Sequence, residues 1–189
     1  MRRYAAMVVM SLFVIATAVP SRAADGEAAS TLTKVGDAAP KFEVQTLDGK
    51  AVSTDSLKGK VVLLNFFATW CGPCVQEMPH LQALSETYKD KPVVVLSIAR
   101  EQGADEVKKF VEQKKLTFTI ALDPKREAYK QFATMYIPRS YVLDRDGKIV
   151  FQTVGFSDTT EKDIIAAIEK SLEKTASAAA HPREVTGGS

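Results

Sequence analysis

The 189-residue chain has two cysteines, Cys71 and Cys74, and they stand at a junction that restricts its fold. Before them, Val61 to Phe67 is almost wholly apolar, as a central strand buried on both faces would be. After them, Val75, Met78, Leu81, Leu84 and Tyr88 recur at three- and four-residue spacing, which predicts an amphipathic helix to about Lys89. Pro73 suits the first turn of that helix, where its missing N–H is not needed. Pro79, inside the run, is expected to bend it. A buried strand leading straight into a helix sets Cys71 where free N–H groups and the macrodipole stabilise a thiolate. Cys74, one turn on, is close enough to attack a mixed disulfide and release the product. The arrangement predicts Cys71 as nucleophile and Cys74 as resolving thiol. Gly72 and Pro73 set the turn and leave room for a partner sulfur.

Two other uses of the pair have to be weighed. A structural disulfide is compatible with an oxidising compartment, but closing a four-residue loop constrains the unfolded chain very little. Zinc is the second, and two cysteines with two scattered histidines do not make a four-ligand set. The strand-then-helix context favours redox exchange, which needs no metal and no cofactor.

The ends of the chain are read separately. Arg2 and Arg3 precede an apolar run from Tyr4 to Val19, and Pro20 and Ser21-Arg22-Ala23 follow. This is the pattern of a secretory signal peptide, 1–23, cut after Ala23. An uncleaved membrane anchor is the alternative, although the run is short for a bilayer span. Removing Arg2, Arg3 and Arg22 from the 25 Lys and Arg leaves about 22 against 23 Asp and Glu. The mature chain then has no basic surplus for a phosphate backbone, so nucleic acid is not an expected partner. Residues 24–34 are polar and small, and read as a flexible lead-in. From Thr175 to Ser189 there is little to bury, which reads as a disordered tail.

Between them, 35–174 alternates strand and helix patterns. Phe42 to Leu47, the turn Asp48-Gly49-Lys50 and Ala51-Val52 predict an N-terminal β-hairpin. Ser53 or Thr54 is expected to cap a short helical turn ending near Gly59. Pro92 to Ala99 and Phe118 to Leu122 read as strands, and Ala104 to Lys114 as a helix. Asp123-Pro124 is expected to open a helix reaching about Phe132. Ser140 to Leu143 and Lys148 to Val154 form a second hairpin. Thr159 or Thr160 caps a last helix to about Leu172. The order predicts an α/β fold, a central mixed β-sheet with helices on both faces.

Over 35–173 the sequence resembles the thioredoxin superfamily, and within it the exported TlpA- and ResA-like branch. The resemblance rests on the run Asn65 to Cys74, on Glu77-Met78-Pro79, on Ile137-Pro138, and on the turn from Val142 to Gly147. It implies a thioredoxin fold, with a helix–strand segment from about Glu101 to Leu122 inserted beyond the minimal plan. It implies that Trp70 packs beside the active-site turn and shields the thiols. Pro138 resembles a loop proline with a preceding cis bond, lying against the disulfide, which leaves the backbone of Ile137 free to pair with an extended substrate. Thioredoxin has a buried aspartate where Asn65 stands. That carboxylate is missing here, and Glu77 instead matches an acid that ResA-like proteins keep near the pair.

Glu77 also has an argument of its own. It lies one turn past Cys74 on the same helix, so the two can share a face. A desolvated carboxyl there would have a raised pKa and could exchange a proton with Cys74. The plain alternative is a solvated acid near a helix start. His80, further along, is expected as a surface or packed helix residue and not as a partner of Cys74.

The resemblance implies a reductant that draws electrons from a membrane thiol-electron carrier outside the cytoplasm. Its partners would be cysteine-containing exported proteins, such as apocytochrome c or copper-delivery proteins. The Gly-Pro dipeptide suits that direction. A periplasmic disulfide oxidase or isomerase is the first alternative, though a strong oxidase more often has a His-containing dipeptide. A thiol peroxidase would use a lone cysteine in a threonine-containing loop. A copper-binding thioredoxin-like module would offer more widely spaced cysteines with a well-placed histidine.

Overall fold

The structure is a computed structural model and describes residues 22–180. The signal segment therefore lies almost wholly outside the described residues, as does 181–189. Seven strands form one mixed sheet: β1 (Glu43–Thr46), β2 (Ala51–Ser53), β3 (Val61–Phe67), β4 (Val93–Arg100), β5 (Thr119–Asp123), β6 (Arg139–Leu143) and β7 (Ile149–Val154). Their order is β2-β1-β5-β4-β3-β6-β7. β3, β4 and β5 run parallel, and the two hairpins add antiparallel strands at the flanks.

Every residue of β3 is buried, and the period-two alternation of a strand divides its side chains between two cores. Val61, Leu63 and Phe67 face a core closed by the helices α2 (Gly72–Thr87), α3 (Ala104–Lys114) and α5 (Asp158–Ala180). Val62, Leu64 and Phe66 face a second core with Phe42, Leu57, Tyr129, Phe132 and Tyr141. α2 passes through Pro79 without ending. α3 has Asp105 and Glu106 in its first turn and Lys114 in its last, which suits the dipole at both ends. With β5, it is the inserted segment, and β5 sits between β4 and β1.

Four local expectations differ from what is found. The lead-in over 24–34 is built into the fold in part. Helix α1 (Arg22–Ala29) is followed by Ser30 and Thr33, both buried, and Leu32 N–H donates to the Phe132 carbonyl at 2.9 Å. The chain then runs along the outer edge of β7. There Gly36 N–H donates to the Ile149 carbonyl and Ile149 N–H to the Asp37 carbonyl, at 2.8 and 2.9 Å. Second, 54–59 forms turns and no helix, and Thr54 Oγ1 instead accepts from Phe42 N–H and donates to the Pro40 carbonyl.

Third, the helix expected from Asp123 shrinks to α4 (Tyr129–Phe132). Arg126 takes a left-handed φ of 58°, which a helix cannot contain, and Asp123 Oδ2 accepts the Tyr129 N–H at 2.8 Å. Fourth, α5 runs past Leu172 to Ala180, so the backbone of 175–180 is helical rather than tail-like. At its start, Ser157 Oγ, not Thr159 or Thr160, accepts the Thr160 N–H.

Candidate active site

Cys71 is the N-cap of α2, with extended backbone, and Gly72 and Pro73 form the first turn of the helix. Cys71 Sγ accepts the Cys74 N–H at 3.4 Å, one of the donors a helix start leaves free. The two cysteines are joined as a disulfide with Cα atoms 5.2 Å apart. They differ in access: Cys71 is 7% exposed and Cys74 is fully buried. The Ile137–Pro138 bond is cis, and the Ile137 carbonyl oxygen lies 3.7 Å from Cys71 Sγ. In the reduced protein a Cys71 thiol can donate to that oxygen, whereas a thiolate gains nothing from it.

Trp70 precedes Cys71 and is 65% exposed. The loop before it is held by the inserted segment. Thr69 N–H donates to Gln102 Oε1 at 2.7 Å, and Thr69 Oγ1 donates to Glu106 Oε1 at 2.9 Å. Exposed Met135 and Tyr136 belong to the loop that ends at Ile137.

Behind Cys74, Glu77 is completely buried. Its Oε2 accepts from Asn65 Nδ2 at 2.9 Å and its Oε1 from Ser140 Oγ at 2.8 Å. Asn65 Nδ2 also donates to Ser140 Oγ at 3.0 Å, and Ser97 Oγ donates to Asn65 Oδ1 at 3.2 Å. The register explains the cluster. Asn65 pairs with Ser97 on β4 and with Ser140 on β6, so three polar side chains form one row across the sheet beneath α2. Loss of hydration pushes the Glu77 pKa up to about 7, and the hydrogen bonds from Ser140 and Asn65 and the field of His80 hold it back from rising further. A carboxyl tuned to neutrality can take or give a proton where an ordinary glutamate stays ionised.

His80 does not face the cysteines. Its Nδ1 lies 2.9 Å from Glu161 Oε2 on α5, and its ring packs on Phe156. Ser97 and Ser140 were not singled out by the sequence. The signal that could find them is a lone serine in an apolar strand, but it needs the register to give it meaning. Among the described residues no group of three or more His, Cys, Asp or Glu is gathered to hold a metal, and no helix is long and apolar enough to cross a membrane.

Comparison with known proteins agrees with this geometry. The Redoxin family model matches residues 34–168. The thiol-disulfide oxidoreductase ResA of Bacillus thuringiensis subsp. konkukian is 38% identical over 122 residues, covering 65% of this chain and 70% of ResA. The thioredoxin-like protein YneN of Bacillus subtilis is 39% identical over 131 residues, 68% of this chain and 75% of YneN. Among solved structures, a thiol:disulfide interchange protein of the thioredoxin family from Chlorobium tepidum superposes with a TM-score of 0.64 at 28% identity, covering 74% of this chain and 99% of the other. The chain belongs to the redoxin family of the thioredoxin superfamily, and is a thiol–disulfide oxidoreductase of the ResA-like branch.

Proposed function

We propose that the protein is a reductant for disulfides of exported proteins, working outside the cytoplasm after cleavage following Ala23 or from an uncleaved anchor. The observation that carries this reading is the asymmetry of the pair, with Cys71 7% exposed at the N-cap of α2 and Cys74 fully buried one helical turn before the buried Glu77. The Cys71 thiolate attacks one sulfur of a partner disulfide, forming a mixed disulfide and expelling the partner's other sulfur as a thiolate. Cys74 then gives its proton to Glu77 and attacks Cys71 Sγ. The Cys71–Cys74 bond forms, the mixed disulfide breaks, and the partner leaves reduced by two electrons. Burial of Cys74 keeps its thiol from reaching outside disulfides and outside thiolates from reaching its sulfur, so exchange begins only at Cys71.

Recharging requires a dithiol donor, and a membrane thiol-electron carrier fits the compartment. Apocytochrome c and copper-delivery proteins are the partners that the ResA-like resemblance suggests. Trp70, Gly72, Pro73, Ile137 and Pro138 would form the surface that a partner chain meets.

The test is the reduction potential of the pair, measured against glutathione and dithiothreitol buffers. A value near or below about −270 mV is expected for a dedicated reductant. A value near about −120 mV would make the protein a disulfide donor and sink the proposal.

A further inference from the structure

Arg139 takes no part in thiol exchange, yet among the described residues it is the largest fully buried side chain, at 1% exposure. Among the described residues no carboxylate lies within ion-pair distance of it. A buried cation is costly unless its N–H groups are engaged, and here they are engaged by two separate segments. Nε donates to the carbonyls of Met135 and Tyr136 at 2.9 and 3.2 Å. Nη1 donates to Thr31 Oγ1 at 2.8 Å, and Nη2 donates to Ser30 Oγ. The planar fork of an arginine can span four such oxygens, which the single ammonium of a lysine cannot.

The same two segments are joined along the backbone. Leu32 N–H donates to the Phe132 carbonyl and Thr134 N–H to the Ser30 carbonyl, both at 2.9 Å. Tyr129 Oη adds a bond to the Tyr136 carbonyl at 2.6 Å. Tyr136 itself has φ of 67°, a conformation that a tyrosine keeps only where its surroundings hold it. The next residue, Ile137, has its carbonyl 3.7 Å from Cys71 Sγ, and the side chains of Met135 and Tyr136 are 56% and 44% exposed beside it. A strap from the N-terminal segment thus fixes the loop that borders the reachable sulfur.

We propose that Ser30, Thr31 and Arg139 are positioning residues for the partner chain: they hold the 135–137 backbone and the exposed Met135 and Tyr136 in the arrangement that a protein disulfide meets at Cys71. The inference rests on the reading above that the partner is a protein. A loop ordered beforehand need not be ordered on binding, so the clamp lowers the cost of docking and leaves the sulfur chemistry alone.

The experiment compares the mature chain with a Ser30→Ala/Thr31→Ala double variant, with Thr31→Ser as the conservative control. Each is assayed on insulin, a protein disulfide, and with dithiothreitol, which has no chain to dock. The double variant is expected to raise KM for insulin about fivefold, equivalent to about 1 kcal/mol of docking energy. Its kcat and its rate with dithiothreitol should stay close to wild type, and Thr31→Ser should restore KM. An unchanged KM, or a parallel loss on both substrates, overturns the proposal. If the unaltered protein does not reduce insulin, the reductase reading has failed on its own account. Amide hydrogen exchange at Tyr136 and Ile137 then decides the clamp: faster exchange in the double variant supports it, and unchanged exchange overturns it.

Discussion

Asn65 and Phe66 are neighbours in β3 and face opposite sides of the sheet. Asn65 points under α2, where with Ser97 and Ser140 it forms the polar row that holds Glu77. Phe66 points into an aromatic knot, with ring centroids of Tyr129, Phe132 and Tyr141 at 5.4, 5.2 and 6.2 Å. One side gains stability from apolar burial and ring packing. The other buries a titratable group, which is expensive unless every polar atom has a partner. The contrast shows that one strand serves two cores, with a buried titratable carboxyl set into the apolar packing on the α2 side and an aromatic cluster on the other.

Replacing Phe66 by alanine gives the largest expected effect on that contrast. Loss of the ring should cost about 3–5 kcal/mol in urea unfolding, while the potential of the cysteine pair in the folded protein stays put. A shifted potential would mean that the two faces are coupled.

The next effect is a pH dependence. Glu77 has a folded pKa raised from 4.5 to about 7, so the folded state holds a proton that the unfolded chain has already released. Its contribution is complete below 4.5 and is lost as pH rises through about 7, a difference on the order of 3 kcal/mol. Oxidised wild type should therefore lose stability across that window. Glu77→Gln should flatten the curve, as read by thermal or urea unfolding at several pH values.

A smaller loss is expected for Asn65→Ala, about 1–3 kcal/mol from the donor taken from Glu77 and the partners stranded on Ser97 and Ser140. Because that donor favours the carboxylate, its removal should move the pH midpoint of thiol exchange upward. Ser97→Ala is the mildest. It should cost about 1 kcal/mol and leave the midpoint in place, since Ser97 touches Asn65 and not Glu77.

Much of this layout was legible in the residues. An uninterrupted apolar run marked β3, helical spacing marked α2, and the cysteine motif located the site between them. Glu77 was legible as a neighbour of Cys74 because helical periodicity is local. The polar row was not, because pairing Asn65 with Ser97 and Ser140 depends on strand register across separations of 32 and 75 residues. Composition also misled in two places. Residues 30–34 look like a linker because their worth lies in backbone pairing and three hydroxyls, which hydropathy does not register. Asp123-Pro124 looks like a helix start, but the aspartate is buried at the end of β5 and caps Tyr129 six residues on.

The strand at the rim of the sheet has one more consequence. An outer β-strand normally offers unpaired peptide groups on which another chain can build, and a protein that meets incompletely folded chains is at particular risk. At Ile149 both outward groups are already taken by Gly36 and Asp37, and Ala39 N–H takes the carbonyl of Gly147. A stray strand can add there only by peeling the protein's own segment away. That stretch of the margin is thereby closed to accidental zippering.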